Sequence, residues 1–278
     1  MRAKVSIVVP AYNNADYIEE TMRSILAQSY PELEVVVSDH ASSDGTWDLL
    51  QQFAGDPRVV LLQTPAGGGA RANWNRVTEA ATGDLVKLVC GDDLIRPDAI
   101  EKQVALFAPG VVLVASSRDI IDANRRVVVR NRGIGRLAGR HTGAASIRAT
   151  VRAGTNLFGE PACVMMRREV LAAAGNWAEG EQYLIDEASY VSVLLRGDFV
   201  GLREPLAAFR VNAGQWSVRL AGEQAEQAIR FHERLASTTT GIVRRSDVAL
   251  GNARARFNAL ARRLVYAWLG RRMSKGRS

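Results

Sequence analysis

Val5-Ser6-Ile7-Val8-Val9-Pro10-Ala11-Tyr12-Asn13 opens the chain with a short β-branched run that breaks into a polar turn. A continuous apolar run of this length reads as a strand covered on both faces, the environment of a parallel sheet flanked by helices. Pro10 and the Asn13-Asn14 pair stop it well short of a signal-peptide core. Moving outward, Ile18, Met22, Ile25 and Leu26 share one helical stripe, with Asn13 or Asn14 placed to cap the helix and Pro31 beyond its end. Further strand-like runs at 35–38, 59–62, 85–89 and 111–115 alternate with helical segments. Such alternation predicts an α/β fold, a Rossmann-like and mostly parallel sheet between helices.

That architecture hosts several chemistries, and some are excluded at once. A dinucleotide-binding first strand runs into Gly-x-Gly-x-x-Gly, whereas this one runs into Pro10-Ala11-Tyr12-Asn13. Gly67-Gly68-Gly69 has the wrong spacing for that fingerprint and reads as a turn; no phosphate loop with its lysine is present.

With 278 residues, 47% hydrophobic and 23% charged, the chain has the composition of a globular protein with a full core. Cys90 and Cys163 are in neither metal-ligand nor redox spacing and read as small buried hydrophobes, which suits a reducing compartment such as the cytoplasm. No run approaches the roughly 18 apolar residues of a membrane-spanning helix. The formal charge of +7 is unevenly placed: eight of the 36 basic residues lie beyond Val248, where no acid occurs, and the 28 before it nearly match 29 acids. A neutral body with a basic tail argues against nucleic acid as partner. It favours an anionic surface met by the C-terminus, such as the inner face of the plasma membrane.

The second half is less regular. The glycine- and arginine-rich stretch 131–143 reads as a mobile loop with solvated basic groups. A strand is expected at 163–166, a helix at 168–174 and another at 186–195, before two long helices close the chain. In the last, Phe257, Leu260, Ala261, Leu264, Val265, Trp268 and Leu269 recur at helical spacing between arginines, the pattern of a basic amphipathic helix suited to a membrane or another subunit.

Ligands of open parallel sheets sit beyond the carboxyl ends of the strands. Three strand ends are polar: Pro10 to Asn13, then Asp39-His40-Ala41-Ser42-Ser43-Asp44-Gly45-Thr46, then Gly91-Asp92-Asp93. Adjacent carboxylates repel one another unless a cation offsets their charge, and hard oxygen ligands favour Mg²⁺ or Mn²⁺ completed by substrate phosphates. Taken singly, these acids equally suit turns and helix caps, and for Asp44 the turn is the better reading.

In this order and spacing, the three segments resemble the family-2 inverting glycosyltransferases of GT-A fold, whose first strand ends in Pro-x-Tyr-Asn and whose second ends in Asp-x-x-Ser-x-Asp-Gly-Thr. The match covers about the first hundred residues well and runs more loosely to about residue 215. It implies transfer of a sugar from a nucleoside diphosphate sugar to a glycan or lipid-linked acceptor, in cell-surface glycan or glycolipid synthesis. Pro10, Ala11, Tyr12, Asn13, Asp39 and Asn75 would serve the nucleotide, Asp92 the ribose or a divalent cation, and Asp93 that cation. Residues 1–116 would form the nucleotide-sugar half, 117–217 the acceptor half of the same domain, and 218–278 a helical, basic extension. Inversion needs one base to take the acceptor proton. Asp186 is the expected base and Glu187 its rival; Asp186 as a mere helix cap is the alternative.

Arg71, Lys87 and Arg210 are candidates to assist the leaving group, although structural roles fit each better. Trp74, Trp177 and Trp216 offer faces suited to a pyranose or to core packing. Many relatives carry an acid where Cys90 stands and a histidine where Asn212 stands. Those two departures support a non-catalytic sugar-nucleotide or glycan-binding protein as the competing reading.

Overall fold

The structure is a computed structural model describing residues 2–180, 182–211 and 223–274, with side chains as far as 261. The first expected strand is β1 (Val5–Ala11), followed by α1 (Ile18–Leu26), β2 (Leu33–Asp39), α2 (Thr46–Gln51), β3 (Val59–Gln63), α3 (Gly69–Glu79) and β4 (Leu85–Leu88). Four strands in the order β3-β2-β1-β4 pair in parallel. Their Val, Ile and Leu side chains are almost all buried in β1, β2 and β4, because helices or other strands cover them. The register sets Ala11 beside Asp39, so β1 and β2 end together. Pro10, which has no N–H to give, lies beyond Val8, where β4 stops pairing with β1.

Beyond β4 the sheet becomes mixed. The chain continues through β5 (Leu94–Ile95), α4 (Ala99–Val104), β6 (Val111–Asp122), β7 (Val127–Arg132), β8 (Gly139–His141), α5 (Gly143–Ala153), β9 (Val164–Arg167), α6 (Arg168–Ala173), α7 (Ile185–Leu194) and β10 (Asp198–Val211). β9 enters antiparallel between β4 and β6, and β10 runs parallel to β6. β6 spans residues 116 and 117 without a break, so the residues before and after that expected boundary share one sheet. α8 (Gln224–Thr238) and α9 (Arg245–Ser274) follow.

Two expectations change. Neither asparagine caps α1 through its side chain: the Asn14 backbone carbonyl accepts from the Tyr17 and Ile18 N–H groups, while its side chain serves Tyr12. The stretch 131–143 is not a free loop. It completes β7, which pairs with β6, and supplies β8, which pairs with β10. Buried Ile134 and Leu137 anchor it while Arg132, Arg136 and Arg140 remain exposed.

α9 packs through Asp247, Gly251, Ala255 and Ala259 and leaves Phe257 71% and Leu260 58% exposed. α9 crosses the end of α5 so closely that a Cβ on Gly251 would lie 2.2 Å from the Val151 carbonyl oxygen; large apolar residues cannot occupy that face. Asp247, fully buried, pairs there with Arg148 (2.8 Å) and Arg152 (2.6 Å) of α5. The side chains of Leu264, Val265, Trp268 and Leu269 lie outside the described residues.

Candidate active site at the carboxyl ends of the strands

The end of β1 is tied to the end of β2 by short polar side chains. Asn13 adopts a positive φ of 50°; its N–H donates to Ser42 Oγ at 2.9 Å, and its Oδ1 accepts from the Ser43 N–H at 3.0 Å. Asp44 Oδ1 accepts from the Thr46 N–H and Oγ1, and its Oδ2 from the Ala15 N–H, so this acid shapes the turn as expected. Within the frame sits Asp39, 1% exposed: Oδ2 accepts from the Ser42 N–H at 3.1 Å, while buried Oδ1 has no partner. Tyr12, the residue after β1, is 58% exposed, its ring 5.8 Å from that of His40. An unpartnered carboxylate oxygen and an exposed aromatic ring at adjacent strand ends suit a planar heterocycle that stacks on the ring and donates to the acid.

Asn75 does not join this group. Its Oδ1 accepts from the Trp177 N–H at 3.0 Å, fastening α3 to the chain before α7. Two residues earlier, buried Asn73 donates from Nδ2 to the carbonyls of Ala11 (3.2 Å) and Ser38 (3.1 Å), holding the two strand ends at a fixed spacing. Sequence reasoning missed Asn73, since neither its type nor its spacing marks a residue that braces two strand ends.

The third strand end brings Asp92 and Asp93, both buried. Gly91 is required there: a Cβ would stand 2.5 Å from Asn14 Oδ1, the atom that accepts the Tyr12 N–H. Asp93 Oδ1 accepts from the Arg210 N–H at 3.0 Å; its Oδ2 is buried without a partner. Burial, and next the Asp92 charge, push the Asp93 carboxyl well above the usual range. Such an acid is either neutral or offset by a cation, and Oδ2 has a lone pair to give one. Among the described residues no set of three or more His, Cys, Asp or Glu converges as a metal cage. Asp92 and Asp93 therefore fit a hydrated Mg²⁺ or Mn²⁺ that takes its other ligands from phosphate and water.

Arg210, fully buried, holds this turn rather than facing a leaving group. Its Nε donates to the Asp92 carbonyl at 2.8 Å, its guanidinium pairs with Glu20 at 2.8 Å, and it lies 4.6 Å over the Tyr17 ring. Arg71 and Lys87 are similarly committed. Arg71 donates to the Trp177 carbonyl and pairs with Glu179. Lys87 is sealed beneath the sheet against Gln103 Oε1 at 2.9 Å, where burial pushes its ammonium down to about 7. Trp177 is a core residue, its Nε1 donating to Thr78 Oγ1 and its ring meeting Trp74 edge-on at 5.0 Å. Trp216 and Asn212 lie outside the described residues.

Asp186 and Glu187, adjacent on α7, point to different surroundings. Glu187 is buried and accepts from Thr150 Oγ1 at 3.0 Å. Asp186 accepts from Asn156 Nδ2 at 3.0 Å and from the Glu187 N–H at 2.7 Å, and burial pushes its carboxyl up to about 7. It shares a locality with the β4 turn: the Cys90 thiol is pushed well up first by burial, then by Asp93, Asp92, Asp186 and Glu160. Glu160, absent from the sequence expectations, is ion-paired with buried Arg118 of β6.

Known proteins share this fold. The profile of Glycosyl transferase family 2 matches residues 6–175. A Bacillus subtilis glycosyltransferase named for teichuronic acid biosynthesis is 40% identical over 101 residues, 36% of this chain and 40% of its own. The chain thus spans well under half of that relative. An uncharacterized Mycobacterium tuberculosis protein is 30% identical over 223 residues, covering 78% of this chain and 70% of its own. Among solved structures, S. aureus TarS in complex with UDP-GlcNAc superposes with a TM-score of 0.67 at 20% identity, over 84% of this chain and 66% of that one. A Pyrobaculum calidifontis mannosyltransferase in complex with GDP-Man and Mn²⁺ superposes with a TM-score of 0.64 at 20% identity, over 92% and 70%. The fold is the GT-A arrangement, and with the family profile spanning more than half of its residues the chain belongs to glycosyl transferase family 2.

Proposed function

We propose that this protein transfers a sugar from a nucleoside diphosphate sugar to an acceptor hydroxyl with inversion, in the synthesis of a cell-surface glycan or glycolipid. One observation carries the reading: two acceptor oxygens on either side of β1, Asp39 Oδ1 at the end of β2 and Asp93 Oδ2 in the turn after β4, are buried and unpartnered. Leaving such atoms unsatisfied costs about 1–3 kcal/mol each, which a ligand's N–H or hydroxyl at Asp39 and a cation at Asp93 would offset. Tyr12 and Asp39 receive the nucleobase, with Pro10, Ala11 and Asn13 shaping the floor beneath the nucleoside. Asp92 and Asp93 would hold a divalent cation, which when bound offsets the charge on the diphosphate.

Asp186 is the base in this reading. The acceptor oxygen bonds to the anomeric carbon as the bond from that carbon to the diphosphate oxygen breaks, and the acceptor proton passes to the Asp186 carboxylate. A carboxyl poised at about 7 is well matched to that task near neutral pH. The UDP-GlcNAc and GDP-Man complexes of the similar structures support a nucleotide-sugar donor, and the Mn²⁺ complex supports the cation.

The acceptor is further proposed to lie at a membrane surface met by α9. Phe257 and Leu260 are exposed on a helix whose sequence carries six basic residues and no acid beyond Val248. No described helix is long and apolar enough to cross a bilayer. A cytoplasmic enzyme at the inner face of the plasma membrane fits these features.

Thermal unfolding with UDP, GDP, dTDP and CDP, each with and without Mn²⁺, tests the donor site, because a ligand of the native state raises its stability. One nucleotide giving a metal-dependent shift is expected. A shift without turnover of the matching nucleotide sugars would instead favour the non-catalytic binding protein.

A further inference from the structure

The segment between α5 and β9 supplies groups that no motif marked. Asn156 Oδ1 accepts from the N–H groups of Phe158 at 2.9 Å and Gly159 at 3.2 Å. This fixes the orientation of the amide, since only oxygen can accept there. Nδ2 must then face the other way, where it donates to the Gly159 carbonyl at 3.1 Å and to Asp186 Oδ2 at 3.0 Å. The other Asp186 oxygen accepts the Glu187 N–H at 2.7 Å. Each carboxylate oxygen is thus held by one donor and keeps a lone pair for another.

We propose that Asn156 is a positioning residue for Asp186: its amide, locked by its own loop, orients the carboxylate and favours its ionised form. The consequence for transfer rests on the reading of Asp186 as base; the effect on the carboxylate does not.

The charges around Asp186 come from several elements. Glu160, in the loop before β9, raises its proton affinity second only to burial among the raising effects. Arg118 of β6 pairs with Glu160 and is itself influenced by Asp186. Cys90, in the turn after β4, and Tyr190, one turn along α7, are both neutral groups pushed well up in part by the Asp186 charge. Glu187 turns away to Thr150. A donated hydrogen bond stabilises the carboxylate and a nearby like charge destabilises it, so two positions on one loop act in opposite directions.

The test is the pH titration of the Asp186 carboxyl carbon by ¹³C NMR in the full chain, assigned by its loss in Asp186→Asn and recorded with and without Mg²⁺. Asn156→Asp keeps the acceptor for Phe158 and Gly159 but replaces the donor with a like charge; its midpoint should rise by roughly one pH unit or more. Glu160→Gln should lower the midpoint by a similar amount. A general loosening of the loop would move both variants the same way. Opposite shifts support the inference; equal or absent shifts in folded variants overturn it. Release of nucleoside diphosphate from UDP-glucose and GDP-mannose separates the two readings. Opposite shifts with Asp186→Asn fully active would retire the base and leave the positioning intact. An inactive Asp186→Asn with unmoved midpoints would do the reverse.

Discussion

The Arg210 backbone N–H donates to Asp93 Oδ1 at 3.0 Å while its guanidinium donates to the Asp92 carbonyl at 2.8 Å, so a single residue of β10 grips two successive residues of the β4 turn. The paired acids are consequently positioned from a strand that lies more than a hundred residues later in the chain. The same guanidinium reaches the Ala123 carbonyl at 3.2 Å and Glu20 at 2.8 Å, joining α1 and the end of β6 to the turn.

Arg210→Met should therefore destabilise the protein by about 1–3 kcal/mol, because the Asp92 and Ala123 carbonyls lose their donor and Glu20 keeps only the exposed Arg125 as partner. Denaturant unfolding measures this. At temperatures where the variant is still folded, the Mn²⁺-dependent part of the nucleotide shift should shrink, since the Asp92-Asp93 turn is no longer held. Full stability in the variant would contradict the clamp.

Asp186→Asn should lower transfer by about 10²–10⁴-fold with donor affinity nearly unchanged. In the wild type kcat/KM should fall about tenfold per pH unit below about pH 7, as the base takes up its proton. The stability consequence has the opposite sign. The folded carboxyl holds its proton up to about 7 and the unfolded one only to about 3.8, so the ionised acid weakens the fold increasingly as pH rises between them. Asp186→Asn should accordingly be more stable than wild type at pH 8, by about 1–3 kcal/mol, and lose that advantage below pH ~4. Thermal unfolding at the two pH values reads the difference.

Gly91→Ala puts a methyl group 2.5 Å from Asn14 Oδ1 and 2.8 Å from its Cγ. Since Asn14 holds the Tyr12 N–H, the overlap pushes the β4 turn away from the β1 end. A stability loss of about 1–3 kcal/mol is expected, with weaker nucleotide binding, measured by titration calorimetry once the nucleotide is known.

Phe257→Glu with Leu260→Glu should leave the unfolding midpoint nearly unchanged, because both side chains face solvent. Sedimentation with vesicles of anionic phospholipid should show binding by the wild type that weakens with salt and is much reduced in the double variant. Equal binding by both would retire the membrane proposal.

Much of this was legible before any coordinates. β1 to β4 were read near their observed places because a buried parallel strand needs an unbroken apolar run, and short turns at their ends leave polar residues at one edge. Burial decided by close approach left no such mark: nothing in the local pattern singles out Gly251, Ala255 and Ala259 as the face of α9 that meets α5. Ile134 and Leu137 were too sparse within an arginine-rich stretch to reveal β7 and β8.

The sequence by itself determined the α/β class, the three polar strand ends and the acids they carry, since these depend on local periodicity and on residue chemistry. Only the tertiary structure decided that Asn73 rather than Asn75 braces the β1 and β2 ends, that Asn156 and Glu160 stand with Asp186, and that Arg210 clamps the paired aspartates. The hydrogen bonds among these relations join residues 30 to 118 positions apart, where bond direction and burial select the partner and no local pattern records the choice.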